Sequence, residues 1–73
     1  MRFLEAVVLS ADEVEALKLY EVDSFEQFEA GKKMGVSQPT FARLLDKAQK
    51  KVAKAIIEGK AIRIEGRNAI SQK

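Results

Sequence analysis

Three residues, Gly35, Val36 and Ser37, separate two segments that both carry helical periodicity, and this short gap constrains the fold more than any other feature. A turn so brief forces the second helix across the first at close range. Gly35 is the natural stop for the first helix, because it enters the left-handed conformation without a Cβ penalty. Ser37 caps the second, and Pro39 falls in its first turn, where a missing amide hydrogen is no loss. Gly31 leaves room for the crossing, Val36 plugs the corner, and Phe41 and Leu44 point back into the core. The pattern predicts a helix over residues 25–34 and a longer one over residues 38–58, stopped by Gly59. At 1.5 Å per residue the longer helix spans about 30 Å.

The flanking segments complete the reading. Residues 3–9 are apolar and β-branched and predict a strand. Ser10 and Glu13 form a capping box that opens a helix over residues 11–21, with Val14, Leu17 and Tyr20 inward and Glu13, Glu15 and Lys18 outside. Ser24 and Gln27 repeat the box before the second helix, whose apolar contacts come from Phe25, Phe28 and Met34. Residues 61–65 alternate Ile62 and Ile64 with Arg63 and Glu65, a half-buried strand pattern, and residues 67–73 read as a frayed tail. The expected fold is mainly α. It is a single helix-turn-helix domain over residues 1–73, with three helices, a long third helix and a small antiparallel β-ribbon from the N- and C-terminal segments.

With no Cys and no His, the chain has no disulfide, no soft or imidazole metal site, and no Cys or Ser–His nucleophile. Neither a metal nor a cofactor is expected. The longest apolar run is residues 6–9, so no signal peptide or membrane span is read and a cytoplasmic location is expected. Asp12, Glu13 and Glu15 crowd a helix start, where they complement the dipole, and the sequence reads as a non-enzyme. The net charge of +2 hides an asymmetry. Residues 1–34 hold four basic and eight acidic side chains, whereas residues 35–73 hold nine basic and three acidic ones. A basic half suggests a polyanion on one face.

The third helix sharpens that suggestion. At 100° per residue, Leu44, Leu45, Ala48, Val52, Ala55 and Ile56 fall within roughly 60° of Phe41. On the far side, Arg43, Lys47, Lys50 and Lys54 follow one line at spacings of 4, 3 and 4. A solvated face would show the same charges. After so short a turn, the line fits a helix in the major groove of double-stranded DNA. The base-contacting candidates are Gln38, Pro39, Ala42, Arg43 and Asp46. Gln38 suits adenine, Arg43 suits guanine, Asp46 accepts from cytosine or holds Lys50, and small Ala42 allows close approach. The phosphate-contacting candidates are Ser37, Thr40, Lys47, Lys50 and Lys54, helped by amides at the helix N-terminus.

The string MGVSQPTFARLL, residues 34–45, resembles the turn and reading helix of many bacterial and archaeal regulators. VVLS followed by EALKL, then KMGVSQPTF, then AIIEGKAIRIEG extends the likeness over residues 5–66. On these motifs the chain resembles an uncharacterised family of short predicted DNA-binding proteins whose helix-turn-helix is similar to region four of sigma factors. The resemblance implies DNA binding and supplies neither target nor physiological role. Members often carry a longer basic, Cys-containing segment before the first strand. The sequence here begins Met1-Arg2-Phe3, so no metal or redox function of such a segment carries over. Gly31 stands where Ala is more usual, which weakens the second helix by about 1 kcal/mol.

Two partner classes follow. One is double-stranded DNA, read by a transcriptional regulator. The other is a protein: a region-four-like module docks on RNA polymerase or another transcription factor, and the acidic first half would be its face. A homodimer is also expected. Phe41, Leu45, Ala48, Val52 and Ala55 recur at 4, 3, 4, 3 like a coiled-coil seam, Ile57 lies on the basic side of the third helix, and a two-stranded ribbon is marginal alone. Cover from the first helix and the ribbon within one chain is the alternative.

Overall fold

A computed structural model of the chain describes residues 5–65. In order it contains β1 (Ala6–Leu9), α1 (Ala11–Leu17), a π-helical turn (Lys18–Val22), α2 (Gln27–Met34), α3 (Gln38–Glu58) and β2 (Ala61–Ile64). The fold is mainly helical with a small two-stranded sheet. Residues 3 and 4 of the expected first strand, and the expected tail at 67–73, lie outside the described residues.

The first capping box forms as the sequence predicts. Glu13's amide donates to Ser10 Oγ at 3.1 Å, and Ser10's amide donates to Glu13 Oε1 at 2.9 Å. The phase of α1 differs from expectation. Glu13, Ala16 and Leu19 are buried, Val14 and Leu17 are half-buried, and Tyr20 is exposed. The helix is turned by one residue, about 100°. The cause is a cation from α3: Lys51 Nζ lies 2.9 Å from Glu13 Oε1 and 2.8 Å from the Val8 carbonyl oxygen. A carboxylate provided with a cation and an amide goes inside without being stranded there.

The second capping box does not form. After the π turn, closed by the Asp23 amide on the Lys18 carbonyl at 2.9 Å, Ser24 takes φ 66°. Phe25's amide then reaches back six residues to the Leu19 carbonyl at 3.0 Å. Ser24 therefore finishes the first helical segment, using the left-handed conformation that glycine usually supplies. An N-cap needs extended backbone, so the same residue is unable to start the next helix. Glu26 precedes α2 instead and provides no side-chain cap.

α2 ends at Gly35, φ 76°, and the Val36 amide closes on the Gly31 carbonyl at 2.9 Å. Gly31 marks the close approach: a Cβ there would sit 3.0 Å from the Val36 carbonyl oxygen and 3.4 Å from Phe41 Cβ. Ala30 and Gly31 are the buried pair, with Phe25 and Met34 packed against the core. Phe28, expected inward, is 59% exposed: it lies about 160° round the helix from the fully buried Ala30. α3 runs the predicted 38–58 and buries Phe41, Leu45, Ala48 and Ala55 against α1, α2 and β1. The apparent coiled-coil stripe is thus covered within the chain. Ile56 falls outside it, since Ala55 is the last buried residue of α3.

The strands are parallel, not antiparallel, with Ala6 beside Ala61 and Leu9 beside Ile64. An antiparallel ribbon suits strands joined by a tight turn, but here the whole helical body intervenes, as in a crossover connection. α3 returns the chain to the start of β1, where Lys60 Nζ meets Glu5 Oε1 at 2.9 Å and the Ala61 amide meets the Glu5 carbonyl at 3.0 Å. Val7 and Leu9 are buried, whereas β2, expected half-buried, is exposed along its length.

Two stability measurements follow. Phe41 is wholly buried at the helix crossing, so Phe41→Ala should cost about 3–5 kcal/mol, comparable to the margin of a domain this size, with a correspondingly lower Tm. Burial pushes the Glu13 carboxyl pKa up, but the Ser10 amide and Lys51 ammonium outweigh it and hold the pKa below its ordinary 4.5. The resulting stability is present above that value and is lost as pH falls through the lowered one. Denaturation midpoints of the wild type should therefore drop below about pH 4.5 more steeply than those of Glu13→Gln.

Candidate nucleic-acid interface

α3 has one side pressed into the core and the other facing water. Its start is set locally. The Thr40 amide donates to Ser37 Oγ at 3.3 Å, and Ser37 Oγ donates to Thr40 Oγ1 at 3.0 Å. Pro39 has no amide hydrogen. Of the first three amide positions of α3, only Gln38's is therefore uncommitted at the helix start, which leaves an anion fewer donors than the sequence suggests. The Ser37 and Thr40 hydroxyls engage one another, and a phosphate would have to compete for them.

The base-contacting candidates all lie in the first half of α3. Gln38, Pro39, Arg43 and Asp46 are exposed, and Ala42 is half-buried. Asp46 Oδ2 pairs with Lys50 Nζ at 3.2 Å, one helical turn on. Of the two roles read for Asp46, the structure displays the one that holds Lys50. Among the phosphate-contacting candidates, Ser37, Lys47, Lys50 and Lys54 are exposed and Thr40 is half-buried. Arg43, Lys47, Lys50 and Lys54 share one exposed face, so the cationic line is a real surface feature.

Sequence reasoning left Lys51 out of the cationic line and assigned it no role. It lies one residue from Lys50, yet its ammonium is drawn inward to Glu13 and Val8. Its helical phase, about 80° from Phe41, was the available signal. Lys32 and Lys33, in the last turn of α2, were also passed over. Their ammonium groups lie 5.4 Å from the Phe28 ring centroid and 4.7 Å from that of Phe25. With Glu29 and Phe25 they line a shallow, open depression of ≈ 260 Å³ along α2. Among the described residues, no group of three or more His, Cys, Asp or Glu side chains is placed to hold a metal, and no helix is long and apolar enough to cross a membrane.

A family model described as "Protein of unknown function DUF134" matches residues 2–72. The chain belongs to this family. It is 50% identical over 66 residues to a UPF0251 protein of Moorella thermoacetica, covering 90% of this chain and 44% of that protein. It is 46% identical over 68 residues to a UPF0251 protein of Thermoanaerobacter pseudethanolicus, covering 93% and 58%. A UPF0251 protein of Prosthecochloris aestuarii is 52% identical over 63 residues, covering 86% and 41%. The chain thus spans about half the length of the curated relatives it matches. No solved structure matches it significantly. The family description carries no activity, so any functional reading rests on the surface of α3.

The two adjacent lysines should separate on mutation. Lys50 is exposed and its pair with Asp46 is solvated, so Lys50→Ala should change unfolding free energy by no more than about 0.5 kcal/mol. Lys51→Met should cost about 1–3 kcal/mol, because it leaves Glu13 buried without its cation. Equal effects in urea titrations would contradict the inward placement of Lys51.

Proposed function

We propose that this chain binds double-stranded DNA through a helix-turn-helix formed by α2, the 35–37 turn and α3, and acts as a cytoplasmic transcriptional regulator. The observation that carries the reading is the line of exposed cations, Arg43, Lys47, Lys50 and Lys54, on the face of α3 opposite its buried stripe. In this reading the N-terminal half of α3 enters the major groove. Gln38 and Arg43 address base edges, Pro39 and Ala42 set the closeness of approach, and Asp46 orients Lys50. Ser37, Thr40, Lys47, Lys50 and Lys54 lie toward phosphates. The resemblance of residues 34–45 to the turn and reading helix of many bacterial and archaeal regulators agrees with this arrangement. A second reading, docking on RNA polymerase or another transcription factor, is favoured by Phe28, an exposed aromatic on α2 in the acidic half of the chain.

Selection from a random duplex pool, followed by fluorescence anisotropy at several salt concentrations, tests the proposal. Affinity should fall steeply with salt. Arg43→Ala should relax selection at one base position by roughly 1–3 kcal/mol, and Lys47→Ala or Lys54→Ala should weaken all sequences alike and flatten the salt slope by about one. Absence of duplex binding at low salt, or an unchanged selected sequence for Arg43→Ala, would overturn the placement of α3.

A further inference from the structure

The cations of this chain are not equally available to a partner. Asp46 pairs with Lys50, and Lys51 is drawn inside to Glu13. Lys32 and Lys33, in the last turn of α2, are exposed and have no carboxylate partner among the described residues. Each ammonium is held instead over an aromatic ring, that of Lys32 at 5.4 Å from the Phe28 centroid and that of Lys33 at 4.7 Å from the Phe25 centroid. A ring positions an ammonium without cancelling its charge, and it leaves N–H donors for a second partner. A cation near the C-terminus of α2 also suits the helix dipole, but that effect treats the two lysines alike.

The two lysines differ in direction. Ala30 joins Ala16 and Leu19 in the core and so faces the first helical segment. Gly31 faces the start of α3, since a Cβ there would lie 3.0 Å from the Val36 carbonyl oxygen and 3.4 Å from Phe41 Cβ. Lys32 lies about 100° further round in the same sense, past α3 and on the side away from the first segment. Phe28, four residues earlier, stands about 40° from Lys32 on the same flank. Lys33 lies about 160° from Gly31, on the flank turned away from α3, and Glu29 falls between the two lysines but nearer Lys33. Depth agrees with direction. α2 packs on the Phe41 side of α3, opposite the cationic line, and packed helices stand about 8–10 Å apart. The major groove is about 8.5 Å deep. With the exposed face of α3 at the base edges, α2 comes level with the rim of the groove, where the phosphates are.

We propose that Lys32 is a phosphate contact at the rim of the major groove and that Phe28 is its positioning residue. The inference rests on the DNA reading of α3 and adds to it a contact from α2. The Lys32 ammonium donates to a phosphate oxygen while it stays over the Phe28 ring. The exposure of Phe28 then serves the duplex and not a docked protein: the ring fixes a cation at the surface. Lys33, one residue on, takes no part.

Fluorescence anisotropy of the full chain on a labelled duplex of the selected sequence, across a salt series, tests this. Lys32→Ala should weaken binding by about tenfold and flatten the salt slope by about one. Lys33→Ala should leave the slope unchanged, and Lys32→Ala combined with Lys47→Ala should flatten it by about two. Phe28→Leu should weaken binding about two- to fivefold with the slope kept, because the lysine remains but is no longer held. Phe28→Tyr, which keeps a ring, should restore wild-type affinity. Absence of duplex binding by the wild type would overturn this inference together with the reading of α3. A slope flattened by Lys47→Ala but not by Lys32→Ala would overturn this inference alone. So would equal flattening by Lys32→Ala and Lys33→Ala, which would mark diffuse charge. Duplex affinity indifferent to Phe28→Leu would remove the positioning role and return Phe28 to a protein-docking surface.

Discussion

The Lys51 ammonium organises this small fold. It reaches from the middle of α3 to the Val8 carbonyl on β1 and the Glu13 carboxylate on α1, and Glu13 in turn accepts the amide of Ser10. One charge thus ties the strand, the cap of the first helix and the long helix together. It also explains why a glutamate sits inside a protein with so few buried residues. Leaving that carboxylate buried without its cation would cost about 1–3 kcal/mol, and the pairing brings the three elements to one point.

That cross-link fixes the rotation of α3 about its own axis. With Lys51 directed at β1 and α1, and Phe41 seated where Gly31 lets α2 approach, the inner stripe of α3 is set at two separated points. The opposite side is then committed to solvent, and Arg43, Lys47, Lys50 and Lys54 stand on it. The cationic face and the core are in this sense one feature seen from two sides. A helix whose rotation was free would present no defined row of side chains to any partner.

Membership of the DUF134 family fixes ancestry, while the chain spans only about half of its curated relatives' length. Function therefore has to be argued from sites. Two surfaces qualify, for different reasons. The exposed face of α3 is polar, cationic and regular. The far end, by contrast, has exposed isoleucines and an open strand edge. Polyanions suit the first, and the second offers apolar area and unpaired backbone groups.

The sequence by itself determined what depends on near neighbours. The Ser10–Glu13 box, the Gly35 stop, the Ser37 cap and the 38–58 span of α3 all follow from hydrogen bonds and backbone preferences within a few residues. The burial of Phe41 and the exposure of the cationic line follow from helical period alone. What the sequence left undecided depends on contacts between distant segments. The phase of α1 was set by a lysine 38 residues away, and the inward turn of Glu13 by the same bond. Ser24 was competed for by two helices, and the packing of Phe25 and Leu19 together gave it to the first. Strand direction was decided by where α3 delivered the chain, since an alternating apolar pattern is the same read from either end of a strand. Local chemistry chooses elements, but it carries no information about which far segment will supply a charge or a strand edge, and only the assembled structure does.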